Sequence, residues 1–543
     1  MTGSGIHISA VTPTGVFRAA ATLMQLADDG GGRLPLVDIT DWPAFKLRGF
    51  MHDVGRSYLS VEELKHEIDL LSRFKVNCFH GHLTENLAWR FEVKAFPQLT
   101  SAASMTRLAG KYYTQDECRE VVRYAAERGM AVIPEIDMPG HSKAFSRAMG
   151  FDMQSDKGVE ALKTILEEAV EVFAGVPYIH IGADEQDFTY PGFLPTRVDR
   201  VHALGQRVVV WNPIHARLTK DLGADMTQMW GTAGKAVAGM PNIDCRYNYT
   251  NHFDVFADLV GIYNSNIYYA AEGTPDIAGS ISAAWNDRNL PTERDILVQN
   301  GFWANVLATA ERCWIGGGNQ YIEQGGVVLP CEGEVFEAFR DFESRLLHHK
   351  DGVLRHEPIP YVRQTDVRWC IEDSLGVRHT VAGAAVYLRH VWGKYVPGLF
   401  PDAPLGSRAK AWTWVWSPEE QTAGALVEFQ NYSRSENDLA PDLGHWDRKG
   451  SRISLNGEDL QPPVWQNAGR PITNETLLLN ENLTARPPLA IKLRKGWNKV
   501  EVHLPYDNAD GVRLNKWMFT FVITTPDGRH ALDGIVYSPD KER

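Results

Sequence analysis

The pair Asp184-Glu185 offers acid–base chemistry of a defined kind. Adjacent acidic pairs recur in this chain, among them Glu62-Glu63, Asp116-Glu117 and Glu419-Glu420, and those read as solvated faces. Asp184-Glu185 differs because it closes an apolar run, Tyr178-Ile-His-Ile-Gly-Ala, whose small residues Gly182 and Ala183 leave room for a ligand. Neighbouring side chains of an extended chain point in different directions, so two adjacent carboxylates can reach two parts of one substrate. Burial would raise the pKa of one while hydrogen bonds keep the other ionised, which suits an acid and a charge stabiliser. A structural ion pair is the plainer reading, and the strand that precedes the pair argues against it.

Other chemistry-bearing residues end similar runs: Asp53, the segment His80–Asn86 (HGHLTEN), the segment Pro134–His141 (PEIDMPGH), Trp211, Trp230, the stretch Tyr247–Asn251, and Trp285 with Asp287. Several carboxylates, three tryptophans and a histidine thus converge if those runs share one end. Each tryptophan alone would read as core, and His141 alone as a satisfied loop histidine. His80 and His82 alternate on one run, but no third ligand at metal spacing is evident, so no metal is expected. No Ser-x-x-Lys, G-x-S-x-G, phosphate loop or dinucleotide fingerprint occurs in the right context, which weighs against acyl transfer, nucleotide and hydride chemistry.

The elements that must position these residues can be read from the pattern. Short apolar runs at 49–54, 76–83, 131–137, 178–183, 207–211, 225–230, 243–247 and 279–285 alternate with helical segments such as 61–74, 116–128, 158–173 and 297–314. Near-continuous apolar strands separated by helices indicate a parallel sheet covered by helices. Eight units in this span predict a (β/α)8 TIM barrel over 47–350, closed by a helix at 333–350. A doubly wound open sheet is the competitor. The barrel is preferred because the polar and aromatic residues cluster at many strand ends, and barrel sites form at the C-terminal ends.

The flanks have other textures. Residues 5–11 and 34–39 could be strands and 14–27 has helical spacing. So little chain cannot bury a core alone and must dock on the barrel. Segments 410–417, 425–431, 452–456, 489–493, 499–504 and 517–524 are short, β-rich and separated by Gly, Pro, Asn and Asp. They predict an all-β sandwich, jelly-roll-like, within 351–543. Trp412, Trp414 and Trp416 alternate and share one strand face. Half of the sandwich core is the favoured reading, and an exposed stripe would be a sugar-binding platform.

Composition sets bounds. The 543 residues are 44% apolar and 23% charged, which excludes wholesale disorder. The net charge of −13 disfavours a nucleic-acid partner. No run approaches 18 apolar residues, so no membrane-spanning segment is expected. The six cysteines (78, 118, 245, 313, 331, 370) contain no C-x-x-C and read as free thiols. The 16 Trp and 18 Tyr suit sugar faces as well as a large core. Exposed aromatics could equally serve a homodimer.

The runs RGFMHDVGRSYLSVEELKHEIDLLSRFKVNCFHGHL, WRFEVKAFPQLT, YYTQDECREVVRYAAERGMAVIPEIDMPGH and YIHIGADE resemble glycoside hydrolase family 20, the β-N-acetylhexosaminidases, over residues 11–318. The resemblance implies a retaining exo-β-N-acetylhexosaminidase without cofactor. It would act on terminal β-linked GlcNAc or GalNAc of an oligosaccharide or glycan through an oxazolinium intermediate. A disaccharide-releasing member of the family, or a non-catalytic glycan-binding protein, are the alternatives. By resemblance Glu185 is the acid and base, Asp184 holds the acetamide N–H, and Tyr249 donates to its oxygen, with Tyr247 two residues away. Arg48 grips the far hydroxyls. Trp211, Trp230 and Trp285 wall the pocket, and His141 supports the acid.

Some positions depart from the family. Glu85-Asn86 stands where Asp-Asp is usual, so Glu85 would have to reach His141 with a longer arm. Asn251 and Asp287 replace the acids that contact the 4- and 6-hydroxyls. Residues 1–46 resemble the end of the family's N-terminal α/β domain. Relatives meet glycans outside the cytoplasm, so an exported location is expected although residues 1–11 show no signal peptide.

Overall fold

The computed structural model describes residues 5–214, 222–250, 254–393, 395–429, 438–478, 482–507 and 516–542. They form two compact units. The first comprises Met1–Tyr249, Ile267–Asn286 and Thr309–Gly317, and the second Thr250–Asn266, Asp287–Ala308 and Gly318–Arg543. The division therefore does not fall at residue 350, because the helices Val255–Asn264 and Glu334–Asp351 belong to the second unit.

The first unit is built on a closed parallel barrel of eight strands in sequence order. These are β1 (Leu47–Asp53), β2 (Cys78–His82), β3 (Ala131–Met138), β4 (Ile179–Gly182), β5 (Val208–Asn212), β6 (Met226–Met229), β7 (Asn242–Asp244) and β8 (Ile277–Ala284). β8 closes on β1 with Arg48 opposite Ser280 and His52 opposite Ala284. Every expected run is a barrel strand, because strands buried on both faces must be apolar throughout. Helix Val61–Arg73 is capped by Ser60 and helix Gln115–Glu127 by a Thr114–Glu117 capping box, which fix where the chain leaves each turn. Inside the barrel Met51, Ile133, Val209, Trp211, Ile243, Ile281 and Trp285 pack together, with Tyr249 and the half-buried Trp230 against them.

The N-terminal expectations hold for the helix and fail for the strands. Helix Pro13–Asp29 docks through Arg18 Nη2 to Gly129 O (2.6 Å) and Gln25 Nε2 to Arg73 O (2.8 Å). Residues 6–11 and 34–39 are not strands. A strand exists only with a partner edge, and no described segment pairs with either run.

The second unit carries an antiparallel sandwich. Its strands are β9 (Arg368–Glu372), β10 (Arg378–Ala382), β11 (Ala385–Arg389), β12 (Arg408–Ser417), β13 (Gln421–Glu428), β14 (Asp438–Leu439), β15 (Arg452–Leu455), β16 (Glu458–Asp459), β17 (Pro471–Ile472), β18 (Leu489–Leu493), β19 (Gly496–Pro505), β20 (Trp517–Thr524) and β21 (Val536–Ser538). One sheet runs β10-β9-β12-β19-β15-β16 with β21 beside β12, and the other β11-β20-β13-β18. Between them Trp369 of β9 meets Phe519 and Phe521 of β20 edge to face.

The core reading of the tryptophan stripe is corrected here. Ala409, Ala411, Thr413 and Val415 point inward and are buried, whereas Trp412, Trp414 and Trp416 lie on the outer face, half-buried. Large rings such as Trp369 fill the interior, so β12 contributes small residues on that side.

All six cysteines are free thiols, five of them buried. No helix of the described residues is long and apolar enough to cross a membrane.

Candidate active site

The C-terminal ends of the barrel strands bring charge and aromatic surface together. β1 runs out at Asp53, and three residues later Arg56 turns back on it. The Arg56 N–H and Nη1 donate to the Asp53 carboxylate (3.0 and 2.6 Å), and Nη2 lies 2.7 Å from Glu85 Oε1. The Arg56 guanidinium also lies over the Trp285 ring, 5.4 Å from its centroid. Beyond β2, Glu85 Oε1 meets His141 Nδ1 at 2.5 Å, and His141 Nε2 lies 3.2 Å from Glu185 Oε2. A line of contacts therefore runs Arg56–Glu85–His141–Glu185. Asn86 spends its groups on the loop beyond β3: its side-chain oxygen accepts from Lys143 N and its carbonyl from Arg147.

The electrostatics are set by burial and neighbours. Burial opposes the charge on Glu85, yet Arg56, His141 and His82 hold its carboxyl down to about 2. Burial likewise disfavours a charged His141, but Glu85, Glu185 and Asp137 raise it well above the usual imidazole range. His141 is thus an imidazolium between two carboxylates, placed to stabilise Glu185 when that acid gives up a proton. Asp184 behaves differently. Burial pushes it up to about 7 against the pull of His141, with Glu135 and Glu185 adding to the rise.

Asp137 sits beside Asp184. Their carboxylate oxygens and a His141 nitrogen lie within 4.8 Å of one another. Asp137 is 1% exposed, and burial followed by the Asp184 charge raises it well above the carboxylate range. Two buried carboxyls this close cannot both ionise, so Asp137 keeps its proton. Gly182 makes the room: its φ is +67°, and a Cβ there would stand 1.7 Å from Asp137 Oδ1. Ala183 (φ 87°), Glu185 (φ 53°) and His141 (φ 47°) are also left-handed without being glycine, a concentration of backbone strain at one place.

Behind the carboxylates lies a buried network that the sequence reading missed. Glu135 accepts from Trp211 Nε1 (2.6 Å), His80 Nε2 (2.8 Å) and His82 Nδ1 (2.6 Å). Burial opposes its charge, but His82, His180 and these donors hold Glu135 well below the usual range. Burial alone would lower His82, yet Glu135, Asp53 and Asp137 raise it to about 9. His180 is held neutral, down to about 3, by burial, and accepts the Gly182 N–H at 3.0 Å. The sequence shows no third metal ligand for His80 and His82. The structure supplies Glu135 and Asp137 beside them, but the imidazole nitrogens facing Glu135 are spent on hydrogen bonds, as in a proton network.

The aromatic wall is continuous. Trp285 lies 5.5 Å from Tyr249, 5.9 Å from Trp211 and edge-on to His82 at 5.0 Å between ring centroids. Trp211 is 1% exposed, locked by Glu135, whereas Trp230 is half-buried and donates to Pro213 O.

Residues 45–151 match the model of Glycosyl hydrolase family 20, catalytic domain, and residues 1–42 that of Glycosyl hydrolase family 20, domain 2. The chain belongs to glycosyl hydrolase family 20. It is similar to a Beta-hexosaminidase of Vibrio furnissii, 37% identical over 218 residues, which are 33% of this chain and 36% of that protein. A Beta-hexosaminidase of Porphyromonas gingivalis is 38% identical over 217 residues, 33% of this chain and 28% of that protein. The chain therefore spans well under two thirds of the length of these curated relatives. The crystal structure of a beta-N-acetylhexosaminidase from Bacteroides fragilis superposes with a TM-score of 0.52 at 29% identity, covering 63% of this chain and 77% of that chain.

Within this family 20 chain the structure gathers Asp184, Glu185, His141, Glu85, Tyr249, Trp211, Trp230 and Trp285 at one end of the barrel. Arg48 is not among them. It begins β1, at the opposite end, where its guanidinium donates to Lys75 O (2.9 Å) and Phe45 O (2.7 Å) and lies over Trp314. The arginine at the site is Arg56. Its signal was positional: a side chain that serves the C-terminal ends must come after the strand, and residue 48 precedes its apolar run. Asn251 lies outside the described residues. Asp287 is buried and belongs to the second unit.

Proposed function

We propose that this chain is a retaining exo-β-N-acetylhexosaminidase that cleaves terminal β-linked GlcNAc or GalNAc from glycans with the substrate's own acetamide as nucleophile. The observation that carries the reading is the Glu85–His141–Glu185 line of contacts ending beside a buried Asp184. In the first step the acetamide oxygen bonds to the anomeric carbon while the glycosidic bond breaks and Glu185 protonates the leaving oxygen. An internal nucleophile needs orientation more than activation. Asp184 holds the acetamide N–H and, ionised, stabilises the positive charge of the oxazolinium intermediate, while Tyr249 donates to the acetamide oxygen. In the second step Glu185 takes a proton from water, which attacks the anomeric carbon and reopens the ring. Two inversions give net retention. Arg56, anchored by Asp53 and Glu85 beside Trp285, takes the substrate-gripping role first expected of Arg48.

Release of nitrophenol from 4-nitrophenyl β-GlcNAc and β-GalNAc tests this, with a thiazoline analogue of the intermediate as inhibitor. The expected result is turnover blocked by the thiazoline, and a loss of about 10²–10⁴-fold in Glu185→Gln. Unchanged turnover in that variant would remove Glu185 from the role. Release of a disaccharide in place of a single sugar from a natural glycan would shift the reading to the wider-pocketed member of the family.

A further inference from the structure

The outer face of the larger sheet carries a strip of indoles that the hydrolytic site does not use. Trp412, Trp414 and Trp416 project from β12 at steps of about 6.6 Å, on the scale of a sugar ring. Register sets Trp497 of β19 opposite Trp416, Lys499 opposite Trp414 and Glu501 opposite Trp412. The Trp416 and Trp497 rings meet edge to face at 5.5 Å. All four indoles are half-buried, so each shows part of a face to solvent.

Cations crowd the strip. Lys541 Nζ lies 3.7 Å from the Trp414 ring centroid and Lys499 Nζ 5.6 Å, while the Arg378 guanidinium lies 5.2 Å from that of Trp412. Glu501 is shared between Lys499 (2.8 Å) and Lys410 (2.9 Å), and Glu372 pairs with Arg378 (3.0 Å). Two carboxylates thus answer four cations in contact with the indoles or with those carboxylates. Arg452 and His503 extend the exposed face, with Asp459 on β16 beyond them. The local excess is positive on a chain whose net charge is −13.

We infer that this face binds a polysaccharide in which acidic sugars alternate with neutral ones, the indoles stacking on pyranose faces and Lys499 and Lys541 pairing with the acids. Indole faces suit the C–H faces of sugars, and the lysines already above Trp414 supply charge where a ring would lie. The excess is too small for a polymer carrying a charge on every unit, and the acidic chain as a whole would repel one. A sparsely charged glycan fits both facts. The strip lies wholly in the second unit and contains no residue of the proposed active site, so it stands apart from the hydrolytic reading.

Affinity electrophoresis of the full chain through gels containing hyaluronan oligosaccharides tests it, with carboxyl-reduced hyaluronan of equal length and oligo(dT) as the comparisons. Hyaluronan should retard the protein. The carboxyl-reduced sugar should bind about tenfold more weakly, the loss expected for a few exposed ion pairs. Trp414→Ala should abolish retardation, and Lys541→Gln, an exposed change that leaves the sheet intact, should weaken it and flatten its salt dependence. No retardation by hyaluronan, equal retardation by the carboxyl-reduced sugar or by oligo(dT), or binding unchanged in Lys541→Gln would each overturn the inference. Binding is read without turnover, so failure here leaves the hydrolytic proposal untouched, and the reverse.

Discussion

Replacing Asp184 with asparagine removes a buried charge and should separate stability from activity. Burial holds the Asp184 carboxyl at about 7 against an ordinary 3.8. Below pH 3.8 the acid is protonated in both folded and unfolded chains and its titration costs the fold nothing. Between 3.8 and 7 the unfolded chain has lost the proton and the folded chain keeps it. Folding then takes up a proton, so stability falls as pH rises, by about 1.4 kcal/mol per pH unit. Above 7 both forms are ionised and the whole penalty, about 4 kcal/mol, stands. Asp137 keeps its proton across this window and contributes no slope. Asparagine does not titrate, so the stability difference between variant and parent should grow by about 3 kcal/mol from pH 4.5 to pH 8. Urea unfolding of both proteins at the two pH values, followed by tryptophan fluorescence, measures it. A difference that is the same at both pH values would refute the burial argument. Turnover of the variant should fall about 10²–10³-fold for want of the anion that faces the oxazolinium. The parent's rate should fall as pH drops through about 7.

The two arginines, Arg48 at the start of β1 and Arg56 beyond its end, should part company. Arg48→Met should destabilise the chain by about 3 kcal/mol, since buried carbonyls of Phe45 and Lys75 lose their donor, and leave kcat/KM unchanged. Arg56→Lys should keep the fold and lower kcat/KM about 10–100-fold, because an ammonium cannot span Asp53 and Glu85 as a guanidinium does. Glu85→Gln should cut kcat about 10²-fold by removing the counter-charge of His141. The parent glutamate contributes stability that is present above its usual pKa of 4.5 and lost as pH falls through about 2, so the variant's acid-unfolding profile should lack that component. Gly182→Ala should abolish turnover, because the new methyl meets Asp137 Oδ1 at 1.7 Å on a left-handed backbone. Retained activity would mean that Asp137 can move aside.

The barrel was legible because its code is redundant. Strands covered on both sides must be apolar, and eight such runs spaced by capped helices leave few architectures. The N-terminal strands show the limit of that code. Residues 34–39 have a strand's composition, but composition supplies no partner edge, and pairing is what makes a strand. The stripe of β12 failed for a related reason. Alternation says that Trp412, Trp414 and Trp416 share a face, yet which face is inner depends on what the opposite sheet already fills. Here Trp369, Phe519 and Phe521 occupy the interior.

The site was legible as a set of strand ends and less so as a set of contacts. Glu185, Asp184 and His141 could be read from the runs that carry them, whereas Glu135 could not, since its partners Trp211, His80 and His82 come from two other strands. Glu85 is the instructive position. A glutamate where an aspartate is usual reads as a defect in the sequence, because one methylene separates contact from none. The structure turns that length into a bridge: the same oxygen that meets His141 at 2.5 Å also meets Arg56 at 2.7 Å. One carboxylate therefore couples the acid's histidine to the arginine that faces Trp285. Substitutions at Arg56 and Glu85 should consequently be non-additive, with Arg56→Lys costing less in a Glu85→Gln background than in the parent. Independent costs would show instead that Glu85 serves His141 alone.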